Sequence, residues 1–105
     1  MRKNTYEENK EISINDLEKR LKQSEGKMLV IEISNCIKTV LFLEDFEYWG
    51  VDKLDILTLY SNEDESRFDI DINYISKIIE VENYEGYNDS ILVLNNDIDV
   101  RIYNS

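Results

Sequence analysis

Histidine is absent from this chain, as are proline and alanine, and cysteine occurs once, at Cys36. Without an imidazole there is no Ser/His or Cys/His pair, no histidine ligand for zinc, and no side chain whose ordinary pKa lies near neutrality. Cys36 lacks a partner for an internal disulfide; set between Asn35 and Ile37, it reads as an inert, partly buried thiol rather than a nucleophile. Long apolar runs are also missing: the longest are four residues, against the roughly eighteen that a membrane span requires. Met1 is followed by "RKNTYEENKE", which has neither an apolar stretch nor a small-residue cleavage site, so no secretory signal is expected and the chain is assigned to the cytoplasm. These absences predict a protein that is not an enzyme, carries no cofactor and does not contact a membrane.

What is present points to a sheet. Fourteen isoleucines and eleven asparagines among 105 residues read as the coding bias of an AT-rich bacterial or phage genome. Isoleucine, valine, tyrosine and phenylalanine favour strands, and a chain without alanine has lost its best helix former. A chain of this length makes one domain with one core. Its charge is uneven: eight basic and seven acidic residues up to Lys38, then four basic and sixteen acidic from Thr39 onward, for a net −11. The later acids alternate with Ile, Val, Leu and Phe instead of forming a block, so they predict an ordered acidic surface and not a disordered tail.

One helix is expected, capped by Ser13 with Asp16 three residues on, carrying Ile14, Leu17 and Leu21 on one face and stopping near Gly26. Residues 1 to 11 show no periodic apolar face and are expected to form a flexible arm, with residues 12 to 105 a single compact domain. "KMLVIEIS" and "KTVLFLED" are apolar on both faces and predict central or covered strands. "LDILTLYS" and "SRFDIDI" predict a hairpin with Glu63, Asp64 and Glu65 at its tip, followed by a bend at Asn73 and the strand "YISKIIEVE". In "SILVL-NN-DIDVRIY", Asn95 and Asn96 suit a two-residue type I′ turn. That register sets Val93 opposite Ile98 and Ile91 opposite Val100 as core, with Leu92, Leu94, Asp97 and Asp99 outward. The fold class expected is therefore α+β, an N-terminal helix packed on a curved antiparallel sheet of five or six strands.

The two Asp-Ile-Asp figures are the candidate functional residues. In "FDIDI", Asp69 and Asp71 lie on the face opposite Phe68, Ile70 and Ile72, and Asp97 and Asp99 repeat the pattern. Same-face strand residues lie about 6.6 to 6.8 Å apart and diverge, which is poor geometry for a hard cation that needs converging oxygens; no metal site is expected. Read together with the tip acids Glu63, Asp64 and Glu65, they form a lattice of carboxylates able to face a basic protein. "LEDFEYWGVDKLD" adds Tyr48 and Trp49 as aromatic anchors, with Glu47 and other acids around them. Tyr48 and Trp49 adjoin, so on a strand they face opposite ways and at least one is expected to be partly exposed.

Two resemblances bear on these residues. "FDIDINYISKIIEVE" resembles the late strands of Sm-like and other SH3-type barrels, which implies a small barrel; the chain lacks the early-strand glycine and the glycine-bearing turn that those proteins use for RNA, and its charge has the wrong sign for phosphate. In size, acidity and AT-rich composition the whole chain resembles the small inhibitors that phages deploy against defence nucleases, anti-CRISPR proteins among them. That likeness implies a nucleic-acid mimic that occupies the basic groove of a nuclease or nucleic-acid-binding complex and does not itself bind nucleic acid. The alternative is a structural or assembly module acting through strand edges or as a homodimer.

Overall fold

The structure is a computed structural model that describes residues 10–82 and 88–104. Its elements run β1 (Lys10–Ile12), α1 (Ile14–Gln23), β2 (Leu29–Ser34), β3 (Lys38–Leu43), β4 (Phe46–Val51), β5 (Ile56–Ser61), β6 (Arg67–Asp71), a single 3-10 turn (Ile72–Tyr74), β7 (Ile75–Glu82), β8 (Asn88–Leu94) and β9 (Asp99–Asn104). The α+β class holds, with one short helix and nine strands among the described residues. The strands form two antiparallel sheets: six in the order β1-β7-β8-β9-β2-β3 and three in the order β4-β5-β6. The larger sheet ends at β1 and β3 and does not close on itself, so the expected barrel is corrected to two open sheets.

The helix forms where its cap predicts. Ser13 Oγ accepts from the Asp16 N–H at 3.1 Å and Asp16 Oδ2 accepts from the Ser13 N–H at 3.3 Å, satisfying two amides that the first turn leaves without helical partners. The Ser13 hydrogen bonds hold the Asp16 carboxyl below the usual carboxylate range. Leu17 and Leu21 are the buried face. Polar contacts pin α1 to both sheets: the Tyr48 hydroxyl on β4 donates to Glu18, and Arg20 pairs with Glu80 on β7.

The core lies between the inner faces of the two sheets and α1. Ile31, Leu57, Leu59 and Leu92 are fully buried there, with Phe46, Tyr48, Ile78, Val100 and Ile102 around them. The outer face of the large sheet holds a smaller cluster, Ile79, Val81 and Ile91 with Val93 packed against it. Beside that cluster the buried Asp89 faces Arg101 at 2.7 Å.

Three sequence expectations are revised. The β8–β9 register is Leu92↔Val100 and Val93↔Asp99, one residue from the pairing that a two-residue Asn-Asn turn would give. The loop is three residues, Asn95 to Asp97, closed by Leu94 N–H to Ile98 O at 2.9 Å, and Asp97 takes the left-handed conformation (φ 64°). A one-residue slip exchanges the faces of β8: Leu92 enters the main core, Leu94 packs against it, and Ile91 turns to the outer cluster. β3, expected to be central or covered, is an edge strand with Val40 and Phe42 exposed. Lys10 and Glu11, expected in the arm, are paired in β1 with Glu80 and Ile79 of β7; residues 1–9 lie outside the described residues. The 63–65 hairpin, the bend at Asn73 and the β7 strand stand as expected.

Candidate functional site

The three-stranded sheet gathers most of the acidity. Residues 44–73, which make β4, β5, β6, their turns and the first two residues of the 3-10 turn, contain ten acids and two bases, a balance of −8. The inner face of this sheet is core, through Phe46, Tyr48, Leu57, Leu59 and Ile70. The outer face therefore carries the residues out of phase with these: Glu47, Trp49, Thr58, Tyr60, Arg67, Asp69 and Asp71. Cross-strand pairing aligns Glu47 with Tyr60 and Tyr60 with Arg67, then Thr58 with Asp69 and Ile56 with Asp71.

A bulge in the edge strand β4 sets the aromatic pair of this face. Between Tyr48↔Leu59 and Gly50↔Thr58, β4 advances two residues while β5 advances one, so Trp49 has no direct partner. Gly50 absorbs the kink at φ 94°, a conformation that other residues rarely adopt. Released from direct pairing, the Trp49 indole stacks on Tyr60 with centroids 4.2 Å apart and planes at 22°, and it remains 49% exposed.

Asp69 is fixed beside this pair. It accepts from the Thr58 hydroxyl at 2.8 Å and from Arg67 at 2.7 and 3.2 Å. Asp71 accepts from the Asn73 N–H at 2.9 Å, capping the 3-10 turn.

Both ends of the sheet are acidic because its turns are built from acids. At one end the β3–β4 turn (Glu44, Asp45) meets the β5–β6 tip (Glu63, Asp64, Glu65): Ser61 Oγ donates to Glu44 O at 2.7 Å, and the Asn62 N–H donates to Asp45 O at 3.1 Å. Asp64 accepts from the Ser66 hydroxyl and amide, which lowers its pKa. At the other end Asp52 accepts from the Leu54 and Ile56 amides at 2.8 and 3.0 Å, and Asp55 accepts from Asn73 at 3.1 Å. Asp45, Asp55 and Glu65 sit at positive φ, where a chain short of glycine has placed acids.

The acids of the two sheets are held differently. On the large sheet Glu32 faces Lys38 and accepts from the Tyr103 hydroxyl, Glu80 faces Arg20, and Asp89 faces Arg101. On the small sheet Asp69 alone among the described acids makes such an ion pair, and several of the others accept from backbone amides instead. Amide and hydroxyl donors order a carboxylate without cancelling its charge, so the small sheet keeps its negative field.

Of the ten residues singled out from sequence, Glu47, Trp49, Asp69 and Asp71 share the outer face and Glu63, Asp64 and Glu65 stand at its end. Tyr48 does not join them: it is buried in the core with its hydroxyl on Glu18, and burial together with that carboxylate pushes its pKa up. Asp97 and Asp99 belong to the large sheet, although the turn carrying Asp97 touches the 3-10 turn after Asp71 through Asn95 N–H to Tyr74 O at 2.9 Å. Tyr60 was not singled out, yet its phase opposite Leu57 and Leu59 in "LDILTLYS" places it outward.

Elsewhere, a cleft of about 550 Å³ lies between α1 and the large sheet, lined in part by Lys10, Lys19, Arg20, Lys27 and the buried Ser90. Cys36 is exposed, not partly buried as expected. Among the described residues no group of three acids or cysteines converges as metal ligands, and no helix is long and apolar enough to cross a membrane. Comparison with known proteins gives no family: no family model matches the chain, and neither a curated protein nor a solved structure matches it.

Proposed function

We propose that this chain is a non-enzymatic binding protein whose three-stranded sheet occupies the basic groove of a nucleic-acid-binding or nuclease partner, as an inhibitor that mimics nucleic acid. The observation that carries this reading is the concentration of ten acids against two bases in residues 44–73, on the strands and turns of one sheet, with Trp49 half exposed on its edge strand β4. Outward carboxylates stand on the two edge strands, Glu47 on β4 and Asp69 and Asp71 on β6, and the turn acids at both ends of the sheet extend this negative surface, which a basic groove would meet as it meets a phosphate backbone. A basic groove attracts such a surface over a long range, and the aromatic pair supplies the short-range, desolvated contact that slows release.

The test is affinity capture from a lysate of the cell of origin with the natural chain and with a Glu47→Lys, Glu63→Lys, Glu65→Lys variant, at about 50 and 300 mM salt. The expected result is a nucleic-acid-binding protein that the natural chain retains at low salt, that DNA or RNA displaces, and that the variant fails to retain. A captured set indifferent to salt, to nucleic acid and to these three substitutions contradicts the proposal.

A further inference from the structure

We infer that β3 is a homodimer edge, pairing antiparallel with β3 of a second copy. The four sheet edges differ in how they are guarded against such pairing. β1 is three residues long and carries Lys10 and Glu11. β4 is bulged at Trp49 and carries Glu47. β6 carries Arg67, Asp69 and Asp71 within five residues. β3 has none of these devices: its pairing with β2 runs unbroken from Leu29↔Leu43 to Ser34↔Lys38, it has no proline, and Lys38 is its one charge. Its outer face is apolar and open, with Val40 40% and Phe42 57% exposed.

The sequence of this edge is self-complementary in one antiparallel register. With Leu41 opposite its own copy, Val40 falls opposite Phe42 and Thr39 opposite Leu43, and Lys38 falls opposite Glu44 of the β3–β4 turn just past the strand end, each pair occurring twice about the two-fold axis. The two Val40–Phe42 pairs then share the outer face, Leu41 meets its copy on the inner face, and opposite charges meet at both ends of the joint. A slip of one residue would set outward side chains against inward ones, so the pattern favours this register over its neighbours.

Electrostatics gives the dimer a signature. Each copy carries −11, so the two repel, and association rests on apolar burial and strand pairing. Salt screens that repulsion. The dimer therefore tightens as ionic strength rises, whereas occupation of a basic groove weakens. The inference is independent of the proposed groove-binding role, and the opposite salt dependences allow either one to fail alone.

Sedimentation equilibrium of the full chain, with a reductant present because Cys36 is exposed, tests it. The joint is small beside a standard interface, so a dissociation constant on the order of 10 μM is expected at 500 mM NaCl, weakening severalfold at 50 mM. Val40→Lys with Phe42→Lys should leave a folded monomer, checked by circular dichroism. Lys38→Glu alone and Glu44→Lys alone should each weaken the dimer by about tenfold, and the two together should bind more tightly than Lys38→Glu alone, short of full recovery because Lys38 also pairs with Glu32 of its own copy. A monomer at 200 μM chain in 500 mM NaCl would overturn the inference, as would a dimer that survives the Val40/Phe42 substitutions or that binds no more tightly in the charge swap than in Lys38→Glu alone.

Discussion

Trp49 lies over Tyr60 at a centroid distance of 4.2 Å, on the solvent side of a strand pair whose other side is core. This is the single tryptophan of the chain, so its fluorescence reports the field of the acidic sheet. Caesium, a cationic quencher, is expected to quench it more strongly than iodide at low ionic strength, with the difference shrinking as NaCl is added. Equal quenching by the two ions at low salt would mean that the carboxylates do not set the potential at this face.

Trp49→Ala separates anchor from core. The ring is half exposed and its main neighbour is Tyr60, so the loss in folding stability is expected to be about 1 kcal/mol, well below the 3 to 5 kcal/mol or so of emptying a buried aromatic site. Urea denaturation of the variant measures this directly. With a captured partner, the same substitution should mainly speed dissociation.

The acids at positive φ predict gains in stability. Asp97 (φ 64°) and Glu65 (φ 63°) occupy conformations that glycine adopts without strain. Asp97→Gly and Glu65→Gly are each expected to stabilise the fold by about 1 kcal/mol, and Asp97→Val to destabilise it. Denaturant midpoints with an unchanged m-value would check this.

These turns also mark where the sequence stops being legible. The helix was readable because Ser13 and Asp16 carry its capping chemistry in the sequence itself, and the 56–71 hairpin because its apolar phase is unbroken. The β8–β9 turn misleads: "NND" offers two asparagines where a type I′ turn wants them, but Asp97 takes the left-handed position and the register moves by one. Alternation could not flag the error, since β8 is apolar at Ile91, Leu92, Val93 and Leu94 and buries both faces. The division into two sheets was also hidden. The edge position of β3 depends on long-range pairing of β2 with β9, which no local pattern in "KTVLFL" encodes. For the site, the outward phase of Asp69 and Asp71 was legible, whereas the meeting of the Glu44/Asp45 turn with the 63–65 tip depends on tertiary contacts from Ser61 and Asn62.

Tyr103 predicts a loss of stability in alkali. Its hydroxyl donates to Glu32, which pushes the tyrosine up to about 12 and holds the Glu32 carboxyl below its usual range. A phenol whose folded pKa exceeds its unfolded value of about 10 contributes stability that is complete below pH 10 and lost as pH rises toward 12. Glu32 acts oppositely: its contribution is present above its unfolded pKa, near 4.5, and is lost as pH falls through the lower folded value. Tyr103→Phe should flatten the alkaline limb of a stability-versus-pH curve, and absorbance at 295 nm should lose a late-titrating tyrosine. An unchanged alkaline limb would contradict the bond.

Arg101 faces the buried Asp89 through Nε and a terminal guanidinium nitrogen, at 2.8 and 2.7 Å. Removing the cation while leaving the carboxylate in place is expected to destabilise by about 3 kcal/mol in Arg101→Met. Thermal or urea unfolding gives the value, and a change under 1 kcal/mol would show that this pair does little for the outer face of the large sheet.

The central claim is that the small sheet, and not acidity in general, engages a basic partner. The most direct measurement compares association rates for a captured partner between two charge reversals: Glu47→Lys, Glu63→Lys, Glu65→Lys on the small sheet, and Asp97→Lys, Asp99→Lys on the large one. The first set is expected to slow association by about tenfold or more at low salt, the difference closing at high salt, while the second changes it far less. Equal effects from the two sets, or no effect from either, would contradict that claim.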